Sequence, residues 1–200
     1  MRRALAQVLV VVTISLAGCS GDVEIACNSE PEILEGAETG FATCGSLKHR
    51  PEQATCPILW HEAPAVCAGD DELNDCAEDA DCDEAEHGIC DVRPAGGCGC
   101  SYGCASDDDC SAFHACVCGT PRGVCVVASC TTDADCHESS LCVLSRTDPC
   151  EGGTPPRLSC LTTRDQCLTD ADCDAALCVL GIDGVRTCQG LELCVSTPVP

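Results

Sequence analysis

Four times from Cys76 onward this chain repeats one short pattern: a cysteine, five residues ending in Asp-x-Asp, and a second cysteine. The copies are CAEDADC from Cys76 to Cys82, CASDDDC from Cys104 to Cys110, CTTDADC from Cys130 to Cys136 and CLTDADC from Cys167 to Cys173. Self-similarity of this kind marks a repeat architecture. Only four aromatic side chains, Phe41, Trp60, Tyr102 and Phe113, serve a chain of 200 residues, so no large central core can form. The 25 cysteines supply the alternative. At this density crosslinks substitute for a core, and the expected fold is a small disulfide-rich scaffold, mostly irregular with short β-hairpins, in tandem cysteine-rich repeats.

Parity sharpens the reading. A third cysteine follows each pair (Cys90, Cys116, Cys142, Cys178), and two more close each unit: Cys98 and Cys100, Cys118 and Cys125, Cys150 and Cys160, Cys188 and Cys194. Each repeat thus holds five cysteines. Five is odd, so some bridges must cross between repeats or reach back to Cys27, Cys44, Cys56 and Cys67. The pairing itself stays open, because twenty-four cysteines allow on the order of 10^11 connectivities. Cys98-Gly99-Cys100 and Cys116-Val117-Cys118 have the form of thiolate metal ligands, but the even set and the lack of a paired C-x2-C framework favour disulfides.

The organisation read from these signals is an N-terminal cysteine-containing segment over 27–75, then repeats over 76–103, 104–129, 130–166 and 167–200. The first segment contains Phe41 and Trp60 and is expected to form a small subdomain. Ser29-Glu30-Pro31-Glu32 fits a capping box and predicts a short helix over 30–37. After each third cysteine, two short apolar runs flank a turn. The clearest case is Leu177–Ile182, then Asp183-Gly184 as a two-residue turn with positive φ, then Val185–Cys188. Gly119-Thr120-Pro121-Arg122-Gly123 is a looser turn, and Asp148–Pro156 an exposed Gly/Pro-rich loop.

The chain begins with Arg2 and Arg3, an apolar stretch from Ala4 to Leu16 and small residues, the three parts of an export signal over 1–18. That stretch is shorter than the roughly 20 residues a membrane-spanning helix needs. Leu16-Ala17-Gly18-Cys19 resembles the lipobox of bacterial lipoproteins. The resemblance implies cleavage before Cys19, acylation of its sulfur, and a tether over 19–26 to a membrane. Cys19 also accounts for the odd thiol, leaving twenty-four cysteines. Ser20 after the anchor fits outer-membrane sorting, so the expected address is the cell envelope, outer membrane or cell surface.

The formal charge is -23, from 10 basic and 33 acidic residues. Losing Arg2 and Arg3 with the signal makes it about -25. Nucleic acid is thereby excluded as a partner, anionic lipid heads repel the ectodomain, and cations and basic proteins remain as attractors.

The repeat, best seen in CTTDADCHESSLC and CASDDDCSAFHACVC, resembles the whey acidic protein four-disulfide core and the Dickkopf N-terminal cysteine-rich domain. The overall likeness is to cysteine-rich bacterial lipoproteins with Dickkopf-like repeats. The first family presents a protease-inhibitory loop before the five-residue spacing, which points here to the loop between Cys160 and Cys167 with Arg164. The Asp pairs (Asp79 and Asp81, Asp107 and Asp109, Asp133 and Asp135, Asp170 and Asp172) fit either weak calcium sites or Asx-type turns, and the tight loop between two cysteines favours turns. His49, His61, His87, His114 and His137 have no recognisable nucleophile or metal partner in the sequence. The expectation is a non-catalytic binding or adhesion module without a cofactor, held to the membrane through Cys19 and meeting an unknown protein or surface ligand. A lipid-anchored protease inhibitor and a passive protease-resistant coat or spacer are the alternatives.

Overall fold

In a computed structural model the chain folds as a row of small hairpins. The residues described are 29–69, 72–137, 140–147 and 155–190. The export signal, Cys19, the tether, Cys27, Cys150 and Cys194 lie outside them. None of the described residues forms a helix able to cross a membrane.

The N-terminal stretch contributes β1 (Glu30–Leu34), β2 (Ala37–Cys44) and β3 (Leu47–His49). The helix expected over 30–37 is therefore a strand. The local capping signal loses to pairing: β1 lies antiparallel to β2, with Glu30 opposite Thr43 and Leu34 opposite Ala37. Pairing recruits backbone groups that an isolated two-turn helix would leave to water. Repeat 1 forms β4 (Gly88–Val92) and β5 (Cys98–Tyr102), repeat 2 forms β6 (His114–Val117) and β7 (Val124–Val127), repeat 3 forms β8 (Cys142–Ser145) and β9 (Arg157–Cys160), and repeat 4 forms β10 (Ala176–Leu180) and β11 (Arg186–Gly190). Repeats 1, 2 and 4 are two-stranded, whereas β1–β2–β3–β8–β9 make one five-stranded sheet.

One plan recurs in all four repeats. The Asp-x-Asp segment forms a single 3-10 turn, and a hairpin follows with its third and last-bonded cysteines directly opposite: Cys90 and Cys100, Cys116 and Cys125, Cys142 and Cys160, Cys178 and Cys188. These facing cysteines do not bond each other. The third bonds the first (Cys76–Cys90, Cys104–Cys116, Cys130–Cys142, Cys167–Cys178), and the other bonds the second (Cys82–Cys100, Cys110–Cys125, Cys136–Cys160, Cys173–Cys188). Two bridges thus staple the turn across its hairpin. Gly123 shows how tight this is, since a Cβ there would lie 2.5 Å from the Cys116 sulfur.

The left-over cysteine of repeats 1 and 2 reaches back, as parity requires: Cys98 bonds Cys67, and Cys118 bonds Cys56. Cys44 is disulfide-bonded as well. The N-terminal stretch is thereby joined to the repeats at several points. Its strands extend the hairpin of repeat 3 through His49 opposite Val143, and residues 51–67 run on as an irregular strap crosslinked to repeats 2 and 1. Phe41 is buried with Ala115, Val126, Ala128, Cys142 and Leu158, at the joint of β2 with repeats 2 and 3. Trp60, expected in the same subdomain, is 83% exposed. A second apolar cluster joins Leu47, Val143 and Leu161, while at repeat 1 sulfur makes the core: Cys67 packs with Cys76, Cys82, Cys90 and Cys98.

The repeat 4 turn also differs from expectation. Leu180 pairs with Arg186, and Gly184 N–H donates to the Gly181 carbonyl at 3.0 Å, closing a four-residue turn. Only Gly184 carries positive φ there, at +75°. The turn is a type I geometry followed by a left-handed glycine, in which Asp183 needs no unusual backbone. A fold braced this way is extracytoplasmic, because reducing compartments do not sustain such bridges.

Candidate functional site

The eight repeated aspartates are the first candidates, and their contacts are the same in every repeat. The first of each pair accepts the backbone N–H of its repeat's third cysteine on Oδ1: Cys90 to Asp79 at 2.9 Å, Cys116 to Asp107 at 2.8 Å, Cys142 to Asp133 at 2.7 Å and Cys178 to Asp170 at 2.8 Å. The second turns back over its own segment, accepting two N–H groups on Oδ2. Ala77 and Glu78 donate to Asp81, Ala105 and Ser106 to Asp109, Thr131 and Thr132 to Asp135, and Leu168 and Thr169 to Asp172, all between 2.7 and 3.1 Å. These donors hold Asp81, Asp109, Asp135 and Asp172 below the usual carboxylate range. Backbone amides contribute most for Asp81, Asp109 and Asp172, and the Thr131 hydroxyl for Asp135. Asp is the acid short enough to reach amides three and four residues away within so tight a loop.

The first aspartates also meet a basic side chain from outside their own repeat. His61 Nδ1 meets Asp79 at 3.1 Å, Arg50 grips Asp107 with two bonds of 2.9 and 3.1 Å, and His49 Nδ1 meets Asp133 at 2.8 Å. In repeat 4 the partner is Arg146 of repeat 3, 3.9 Å from Asp170. The two carboxylates of a pair therefore face different donors, which favours the turn role over the six to eight oxygens of a calcium shell. The pair is a stitch and a socket: one aspartate folds the loop, the other docks a neighbour. The histidine contacts had no signal in the sequence, since His49 and Asp133 are 84 positions apart.

Two arginines lock the joints. Arg50 is 1% exposed and donates its backbone N–H to Cys142 O, while its own carbonyl accepts from Asp133 N–H. Arg186, also 1% exposed, bridges repeats 4 and 3. Its guanidinium donates to Ser145 Oγ, Ser159 O and Oγ, Cys160 O and Asp165 Oδ2, and Asp165 Oδ1 accepts the Arg186 backbone N–H. Burial pulls the Arg186 pKa below the ordinary arginine value, and Asp165 opposes that. Lys48, Arg50, Arg93, Arg146, Arg164 and Arg186 each face a carboxylate. Cations are thus spent on internal contacts.

Other sequence candidates resolve into structure too. Cys98, Cys100, Cys116 and Cys118 are all in disulfides, so neither CxC pair offers a thiolate. Arg164 sits in a closed turn, with Asp165 N–H donating to Thr162 O at 3.1 Å, and its guanidinium lies 3.8 Å from Asp183. Ser111 Oγ lies 3.0 Å from His114 Nδ1, but the same nitrogen faces the Ala112 carbonyl at 3.1 Å.

The surface carries the features the interior does not explain. Trp60 and Phe113 are each 83% exposed, Tyr102 is 38% exposed, and Ile58 and Val66 join them. Phe113 also sits at φ +65°, a conformation that costs a bulky residue about 1–2 kcal/mol and suits glycine. His87 and Ala175 occupy the same place, three residues before the third cysteine, at φ +57° and +51°. The backbone plan imposes the angle; a solvent-exposed phenylalanine there adds nothing to the fold. No protein-family model matches the chain, and neither a curated protein nor a solved structure matches it.

Proposed function

We propose that this chain is a lipid-tethered, non-catalytic binding module of the bacterial cell envelope. Cleavage after Gly18 and acylation of Cys19 anchor it, residues 19–26 form the tether, and the disulfide-braced repeats present a contact surface. The observation that carries the reading is the placement of the aromatics: of four, only Phe41 is buried, while Trp60 and Phe113 stand in solvent, the latter on strained backbone. Strain and exposed apolar area at one residue favour a role outside the chain. A passive coat has no use for either. For the inhibitor reading, Arg164 lies exposed on a closed turn, its guanidinium 3.8 Å from an exposed Asp183.

The experiment compares the native oxidised chain with Phe113→Gly, immobilised side by side and challenged with envelope and secreted material from the source cells. Glycine relieves the left-handed backbone, so the variant is expected to be as stable as the native chain, or about 1 kcal/mol more stable. Retention of the partner is expected to fall. Equal retention by both chains, or retention of nothing by either, refutes the reading. Mass measurement of the mature N-terminal peptide tests the anchor: an acylated Cys19 is expected, and an unmodified one refutes it.

A further inference from the structure

We propose that the outward face of the strap, Ile58 and Trp60 flanked by Glu62, docks a lysine- and arginine-rich polypeptide segment. This rests on the binding-module reading and names the chemistry of the partner.

The strap is pinned at four points. Cys56 bonds Cys118, Leu59 N–H donates to Pro121 O at 2.8 Å, His61 meets Asp79, and Cys67 bonds Cys98. Between the first and last pins the chain alternates: Leu59 and His61 are half-buried against repeats 2 and 1, and Ile58, Trp60 and Glu62 are exposed. The indole is therefore displayed on backbone already fixed by crosslinks, so binding there orders little further chain.

Charge selects the partner. Repeat 1, which the strap crosses, carries seven carboxylates between Glu78 and Asp91 and a single basic residue, Arg93, which is turned onto Asp75. Arg122, beside the Pro121 pin, is directed to the Ser101 hydroxyl. Next to the Cys67 pin opens a cleft of about 580 Å³ with Asp75, Asp81 and Asp83 on its wall. An anionic segment is repelled from this face, and an uncharged one gains nothing from the carboxylates. A basic segment satisfies both features at once. One ammonium or guanidinium lies over the Trp60 ring, a geometry strongest for tryptophan, and its neighbours are drawn to Glu62 and the carboxylates of repeat 1, an attraction that salt screens beyond roughly 8 Å.

Trp60 is the only tryptophan in the chain, so its emission reports on this face alone. The test titrates the full oxidised chain in detergent micelles with a lysine dodecapeptide, following Trp60 fluorescence and, in parallel, heat of binding. Expected are a saturable emission change, loss of affinity of at least about tenfold in Trp60→Ala, weaker binding in Glu62→Lys, and loss of binding as ionic strength rises from about 0.01 to 1 M, which shortens the screening length from about 30 to 3 Å. Trp60 and Glu62 are exposed, and unchanged thermal unfolding of both variants confirms that they fold. Binding heat without an emission change, unchanged affinity in Trp60→Ala, or equal binding of a glutamate dodecapeptide overturns the proposal. So does absence of binding. In that event, loss of partner retention by Phe113→Gly still upholds the binding-module reading, so the two failures are separable.

Discussion

Replacing Arg186 with methionine isolates what a single buried cation contributes to a fold otherwise held by sulfur. Arg186 and Asp165 have side chains 2% and 1% exposed, 2.8 Å apart. Removing the guanidinium leaves the Asp165 carboxylate buried without its counter-charge and strips donors from Ser159 O and Cys160 O. Breaking a buried pair costs about 3–5 kcal/mol. Asp165 still accepts N–H groups from Thr162 and from residue 186, which places the cost toward the lower end. Protonation sets a ceiling on the charge penalty: neutralising a carboxyl of ordinary pKa about 3.9 at pH 7 costs about 4 kcal/mol, and at pH 5 about 1.5 kcal/mol. Arg186→Met is thus expected to lose about 3–4 kcal/mol at pH 7 and distinctly less at pH 5. The sign follows from linkage: in the variant the folded state holds the extra proton, so its stability falls as pH rises. At about 2–4 °C per kcal/mol for a chain of this size, the pH 7 shift in unfolding temperature is about 6–16 °C. Hydrogen exchange should localise the loosening to β10 and β11, since repeat 4 keeps both of its own bridges. A shift under about 2 °C, or the same shift at both pH values, would refute the reasoning and assign the joint to disulfides alone.

Acid should weaken the native chain. Asp81, Asp109, Asp135 and Asp172 have folded pKa values below the unfolded value of about 3.9, so their contribution is complete above that value and is lost as pH falls through the folded ones. Unfolding temperature is expected to be flat from pH 7 to 5 and to drop below about pH 4; converting all four to Asn should flatten that drop, and an unchanged slope counts against the stitch. Non-reducing peptide mapping should recover Cys56 linked to Cys118 and Cys67 linked to Cys98. Removing the first of these as Cys56→Ala/Cys118→Ala opens a loop that the retained Cys67–Cys98 and Cys104–Cys116 bridges shorten to roughly twenty residues, worth about 3 kcal/mol of unfolded-chain entropy. A Cys56–Cys67 peptide in the map would contradict the strap.

Repetition and parity are properties of the one-dimensional chain. CxxxxxC with Asp in two fixed slots, five cysteines per copy and four aromatics in 200 residues determine disulfide-braced hairpins, with bridges that leave repeats 1 and 2, because the composition offers too few large apolar side chains for a central core. The choice of a turn role for the Asp pairs was legible as well, since Asp between close cysteines has local amides to accept. The strand at Glu30–Leu34 was not, because a capping box is a local signal and the partner β2 outcompetes it. Nor was the socket legible: only tertiary structure brings His49, Arg50 and His61 of the N-terminal stretch to Asp133, Asp107 and Asp79, and Arg186 to Asp165. Such contacts follow no spacing rule, because the loops between them vary in length while the bonded ends stay fixed. The same holds for Phe41 and Trp60, alike in sequence as scarce aromatics. Packing among three segments buried the first, and a strap pinned on both sides left the second in water.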